Sequence, residues 1–287
     1  MPFGPDQIAG LKLWLQATAI TGLVDGDPIT TWEDSSDQNN DATQAVATAQ
    51  PTYQSNEVNG LPVVRFDGAD DYLVLPATLD LTGARTVFVV FRAAIISATA
   101  VFLYGCNAGS ENADFLAAGT FNSRILASGD NETAASAHSS ALGSATWYVL
   151  TLTKTTGNLS AVRLNGAPDT QPATDFWGGA TAGVVLGGSW TGGSLLAPFG
   201  GDLAEVLVYD SVLANGDRAA VEDYLYTKYA IFGMGGGAAA LPVGARPIRL
   251  TYEDRLAVHL TSEDRRPLML SYEDILTITL TDQSHAG

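Results

Sequence analysis

Oxygen-bearing and aromatic side chains are the residues of this 287-residue chain that could do chemistry. Two acidic clusters offer hard ligands. Asp34, Asp37, Asn39, Asn40 and Asp41 fall in one polar run, and Asp67, Asp70 and Asp71 in another. Oxygens at that density suit Ca²⁺, which takes about six to eight of them. Neither run has the spacing of an EF-hand loop, and both also read as turns whose Asp side chains bond nearby backbone N–H groups. Sugar binding asks instead for an exposed aromatic platform with a polar neighbour. Trp177 (in DFWGG) and Trp190 (in SWTGG) lie in Gly-rich loops and are the candidates to stack on a sugar ring, with Asp175 and Thr191 as hydrogen-bonding neighbours. Trp14, Trp32 and Trp147 sit among apolar residues and are expected in the core.

Nucleophilic and metal chemistry find less to work with. Cys106 is the one cysteine, and His138, His259 and His285 are scattered without ligand spacing. A disulfide scaffold and a Cys-based zinc cluster are therefore excluded. No Gly-x-Ser-x-Gly elbow, His-Glu-x-x-His helix or phosphate loop occurs. Charged residues make up 16 % of the chain, yet the formal net charge is −17. Acidity this one-sided argues against nucleic acid and against an anionic membrane surface. It fits solubility, a cation or a basic partner. Neither a signal peptide nor an apolar run of about 18 residues is found. A protein working outside the cell would then need another route, and release within a virus particle is one.

Short strands must position these residues. From Asp202 to Tyr209 the chain alternates with period two and is mostly apolar on both faces, as a strand covered on both sides would be. Leu203, Glu205, Leu207 and Tyr209 are assigned to one face. An amphipathic helix follows, with Ala219, Ala220, Tyr224, Leu225 and Tyr229 near helical spacing. Further strands are expected at 8–16, 63–66, 72–75, 85–93, 101–104, 115–117, 123–126, 146–154, 161–164 and 184–188, with Asn59-Gly60 and Asn165-Gly166 as tight turns. Short strands separated by turn signals suit a two-sheet sandwich.

Four stretches are shared with a known family: ITTWEDSSDQNNDATQ (29–44), NGLPVVRFDGADDYLVL (59–75), TWYVLTLTK with AVRLNG (146–166), and GDLAEVLVYDSVLANGDRAAVEDYL (201–225). Over residues 8–232 the chain resembles laminin-G-like domains of the concanavalin A-like jelly-roll superfamily. The resemblance implies an all-β fold, a two-sheet concanavalin A-like jelly-roll sandwich with one C-terminal helix. It also implies a binding role at the loop rim, for glycans or Ca²⁺. Ala214 stands where the family places a Ser or Thr helix cap, so Asn215 or Asp217 is expected to take over. Asp37-Gln38 departs from the family's Ser-Gly turn. Glucanases of the superfamily carry a Glu-x-Asp-x-Glu strand whose carboxylates stand about 5 Å apart as nucleophile and acid. This chain has no such triplet, and Glu205 and Asp210 fall on opposite faces of their strand. Glu205 is read as a buried, paired carboxylate, and the chain is expected not to be an enzyme.

Residues 233–246 are rich in Gly and Ala and read as a linker. Beyond it a ten-residue repeat appears: LTYEDRLAVH from Leu250, LTSEDRRPLM from Leu260 and LSYEDILTIT from Leu270. Ten residues suit one strand plus a two-residue turn, so a small β-meander is expected, with strand exchange between copies, as in a trimer, as the alternative. The chain is thus expected to comprise a laminin-G-like domain (1–232), the linker (233–246) and a β-repeat segment (247–287) for virion attachment or oligomerisation. A phage decoration, neck-fibre or tail-fibre protein is the expected function, a homo-oligomer in the virion. Its partners would be other virion proteins through 247–287 and cell-surface glycans through the jelly roll, with no cofactor other than Ca²⁺. The alternatives are a bacterial extracellular carbohydrate-binding module and a purely structural virion protein.

Overall fold

The computed structural model describes residues 3–79, 83–94, 100–105, 114–118, 125–129, 136–137, 142–155, 158–168, 184–191, 194–196, 198–231, 248–249 and 268–269. The chain divides into two compact units, Met1–Ala239 and Ala240–Gly287.

Two antiparallel sheets build the first unit, an all-β sandwich with a single helix among the described residues. One sheet runs Ala167–Pro168, Asn158–Leu164, Trp147–Thr155, Arg85–Ala93, Gly200–Tyr209, Leu61–Asp67, Thr52–Val58, and Leu11–Gln16 also joins Gly200–Tyr209. The other runs Ser136–Ala137, Ile125–Gly129, Asp114–Ala118, Ala100–Gly105, Val185–Leu186, Leu73–Val74, Ala42–Thr43, Thr31–Trp32. The Gly200–Tyr209 strand is buried along its whole length. Arg85–Ala93 pairs along one edge of it, and the other edge is shared by Leu11–Gln16 and Leu61–Asp67.

Simple alternation fails inside this strand. The register shifts between Leu203 and Glu205. Leu203, Val206 and Val208 face the core between the sheets, whereas Ala204, Leu207 and Tyr209 face the helix. A bulge puts two successive residues on one side, which period-two counting cannot anticipate. Each Val, Leu or Phe fully buried in these two cores contributes about 1.5–3 kcal/mol.

The helix spans Asn215–Tyr229 and buries Val221, Glu222, Leu225 and Tyr229 rather than the Ala219, Ala220 and Tyr224 of the spacing argument. No side chain caps its start. Asn215 Oδ1 instead accepts a bond from Arg218 Nη1 (2.8 Å), and Asp217 supplies a first-turn charge that favours the helix dipole. Two buried carboxylates fasten the helix to the sheet. Glu205, wholly buried, accepts bonds from Trp14 Nε1 (2.6 Å), Lys228 Nζ (2.7 Å) and Tyr229 Oη (2.7 Å). Glu222 accepts from Thr151 Oγ1 (2.9 Å) and Arg163 Nε (3.2 Å). No helix among the described residues is long and apolar enough to cross a membrane.

In the second unit, Ile248–Arg249 pairs with Leu268–Met269 in parallel. These segments lie 20 residues apart (268 − 248), two repeat lengths, where neighbours in a meander would pair antiparallel. The linker and the rest of the repeat lie outside the described residues.

Candidate functional site

Thr31–Trp32 forms one edge of the second sheet, paired only with Ala42–Thr43. Alongside it the chain makes a short 3₁₀ turn at Ala17–Ala19 and then an irregular connection up to residue 30. That connection is held against the neighbouring strand. Gly26 N donates to Tyr53 O, Tyr53 N to Asp27 O, and Ile29 N to Pro51 O, all at 2.8–2.9 Å. Asp27 Oδ2 accepts from Val24 N (2.8 Å), closing the turn on itself.

The result is a cleft of about 240 Å³ between connection and edge strand. Ile20, Leu23 and Pro28 give it apolar walls, and Thr21, Thr30, Thr31 and Glu33 give it oxygens. Trp32 backs the cleft and has no exposed surface. Its indole Nε1 is buried without a hydrogen-bond partner. An orphaned buried donor costs about 1–3 kcal/mol, and with Trp32 packed in the core between the sheets this one is closed to solvent. Apolar walls with a few convergent polar groups are the general form of a small-molecule site.

The oxygen cluster next to the cleft is occupied with its own loop. Asp34 Oδ1 accepts from Trp14 N (2.8 Å) and Ser36 N (2.9 Å), and its Oδ2 from Ser36 Oγ (2.7 Å) and Asn40 N (2.9 Å). Asp41 Oδ1 accepts from Asp34 N (2.8 Å), and Asn40 Nδ2 donates to Lys12 O (2.8 Å). This loop fixes the chain just after Glu33.

Asp67, Asp70 and Asp71 come within 4.8 Å of one another and are the described residues that could hold a cation. Their six carboxylate oxygens match the low end of what Ca²⁺ takes only if each is free to bind. Asp67 Oδ1 already accepts from Ala69 N (2.7 Å) and Asp70 N (3.2 Å), and Asp71 Oδ2 from Asp67 N (2.9 Å). Burial, and then the charges of Asp67 and Asp70, push the Asp71 carboxyl up to about 6, although its bond from Asp67 N pulls the other way. A folded-state value above the unfolded one means that the folded chain binds the extra proton. Asp71 therefore favours folding below about pH 4, and that contribution is lost as pH rises through about 6. Asp71→Asn keeps an acceptor for Asp67 N and removes the buried charge. It should raise unfolding free energy at pH 7.5 by about 2 kcal/mol and leave it nearly unchanged at pH 4. Urea titrations at the two pH values check this, and an equal effect at both would contradict it.

The candidates drawn from the Gly-rich loops fare differently. Trp177 and Asp175 lie outside the described residues. Trp190 and Thr191 belong to a short strand, Ser189–Thr191, paired with Ser194–Leu196, so a hairpin replaces the expected loop. Trp14 and Trp147 are half-buried rather than core. Trp147 carries the Arg92 guanidinium 4.9 Å over its ring. Arg92 and Arg65 share the carboxylate of Asp202, at 2.8 and 2.7 Å, and both also bond Glu57. Two cations and two anions neutralise each other there, which leaves no free charge for a ligand.

Nothing in the sequence announced the Trp32 cleft. Residues 17–30 show no periodicity, and Ile20 and Leu23, apolar side chains inside a loop, were the one available signal.

No protein family and no curated protein matches this sequence. Solved structures do resemble the fold. Domain 4 of AbnA, a GH43 extracellular arabinanase from Geobacillus stearothermophilus solved in complex with arabinotriose, superposes with a TM-score of 0.54 at 15 % identity, over 75 % of this chain and 97 % of that domain. The Trypanosoma rangeli sialidase in complex with sialic acid gives 0.53 at 15 % identity, over 77 % of this chain. This chain spans 33 % of the sialidase's length. The shared feature is the β-sandwich fold. These neighbours overturn the expectation of a non-enzyme. The same sandwich occurs within an arabinanase and a sialidase, so the missing carboxylate triplet of glucanases is no ground for setting catalysis aside.

Proposed function

We propose that the first unit is a carbohydrate-binding module that seats a sugar residue in the Trp32 cleft. The observation that carries this is the cleft's lining, where the apolar Ile20, Leu23 and Pro28 meet three threonines and the carboxylate-bearing Glu33. Sugars present just such an alternation of C–H faces and hydroxyls. At about 240 Å³ the cleft is smaller than the roughly 300 Å³ and more of sites for drug-sized molecules, and suits one sugar ring. Support also comes from the fold neighbour that was solved with arabinotriose. A laminin-G-like head displayed on a virion rests on the four sequence motifs, the linker and the repeat. The carbohydrate-binding module has the cleft in addition and takes precedence.

A glycan array probed with the folded full chain tests the proposal. We expect binding that drops at least tenfold in Thr31→Arg, an exposed position from which a long side chain fills the cleft at little cost to folding. Trp177→Ala and Trp190→Ala should retain it. A blank array with folded protein would contradict the proposal.

A further inference from the structure

We infer that the Trp32 cleft selects an uncharged sugar over a carboxylated one, with Glu33 as the deciding residue. This rests on the cleft being the glycan site. Glu33 is exposed at the rim and is the sole ionisable group among the lining residues. An ionised carboxylate accepts hydrogen bonds only, and its two oxygens match two neighbouring hydroxyls of a sugar ring. A carboxylate on the sugar would meet it as a like charge.

The surroundings reinforce this. Between residues 13 and 64 the sequence contains no Lys, Arg or His, while Asp25, Asp27, Asp34, Asp37 and Asp41 flank the cleft in sequence. The nearest cations along the chain are engaged: Lys12 Nζ lies 3.1 Å from Asp210, and Arg65 is held by Asp202 and Glu57. None of the described residues lining the cleft is basic, and the formal net charge of −17 repels an anionic ligand at longer range. The two fold neighbours were solved with ligands of opposite kind, neutral arabinotriose and anionic sialic acid. The charge of this cleft points to the neutral kind.

Calorimetry on the full chain at low salt, with arabinotriose and lactose as neutral probes and sialyllactose and trigalacturonate as carboxylated ones, tests the inference. A neutral probe should bind at least tenfold tighter than either carboxylated probe, and the gap should narrow at 0.3 M salt. Glu33→Gln should shrink the gap to threefold or less, and Glu33→Lys should bring sialyllactose up at least tenfold. Glu33 is exposed, so both variants should melt with the wild type. Equal binding of lactose and sialyllactose by the wild type, or a gap that ignores both substitutions, would overturn the selectivity and leave the glycan site standing. Silence toward all four probes in a chain that also leaves a glycan array blank would overturn both.

Discussion

Lys228→Met should destabilise the fold by about 3–5 kcal/mol, the usual cost of leaving one member of a buried ion pair alone. Glu205 has no exposed surface, and Lys228 is the cation that meets it. Methionine keeps most of the lysine stem in the last helical turn but removes the bonds to Glu205, to Gln16 Oε1 (2.8 Å) and to Tyr224 Oη (3.0 Å). Trp14 and Tyr229 would still donate to the stranded carboxylate, yet two neutral donors do not replace a cation. The reverse change is milder. In Glu205→Gln the lysine, whose side chain is 18 % exposed, can turn toward water. Removing both charges, as in Glu205→Leu with Lys228→Met, should recover most of the loss. Urea unfolding of the three variants measures this, and a Lys228→Met cost below about 1 kcal/mol would show that the pair does not hold the helix.

Gly201→Ala should cost about 3 kcal/mol, the upper end for forced overpacking. A Cβ at this position would stand 2.3 Å from Arg92 O, 2.7 Å from the Phe199 ring and 3.1 Å from Ala93 Cα. Two of these three obstacles are backbone of the adjacent strand and cannot move aside as a side chain would. The shift would also disturb Asp202, the next residue, on which Arg65 and Arg92 converge. Gly216→Ala is the control. It sits in the first turn of the helix with open space around its would-be Cβ, and should gain up to about 1 kcal/mol. Thermal melts of the two variants compare them directly, and equal melting temperatures would remove the close-approach argument.

How much of this was readable in advance depended on how local the determinant is. Arg85–Ala93 was legible because nine residues of apolar, β-prone character leave few alternatives. Thr52–Val58 was not, because a polar edge strand (TYQSNEV) has only one partner and little apolar signal. Glu205 stood out as a carboxylate among apolar neighbours, so its burial and pairing followed. Its partners Trp14 and Lys228 lie 191 and 23 residues away, and no spacing rule links them. The buried helix face differs from the apolar spacing because Glu222, a charged residue that spacing places outward, is drawn inward by Thr151 and Arg163. The Trp32 cleft depends on three segments meeting: the 3₁₀ turn, the connection to Pro28 and the edge strand. Tertiary bonds such as Tyr53 N to Asp27 O create that meeting, and periodicity carries no trace of it.

Residue-resolved NMR of the full chain, titrated with a glycan that binds it, tests the central claim most directly. The amides of residues 20, 21 and 30–33, which line the cleft, should show the largest shifts. Shifts gathered instead on the Asp67–Asp71 turn or on the 189–196 hairpin, with the amides of residues 30–33 unmoved, would contradict the account.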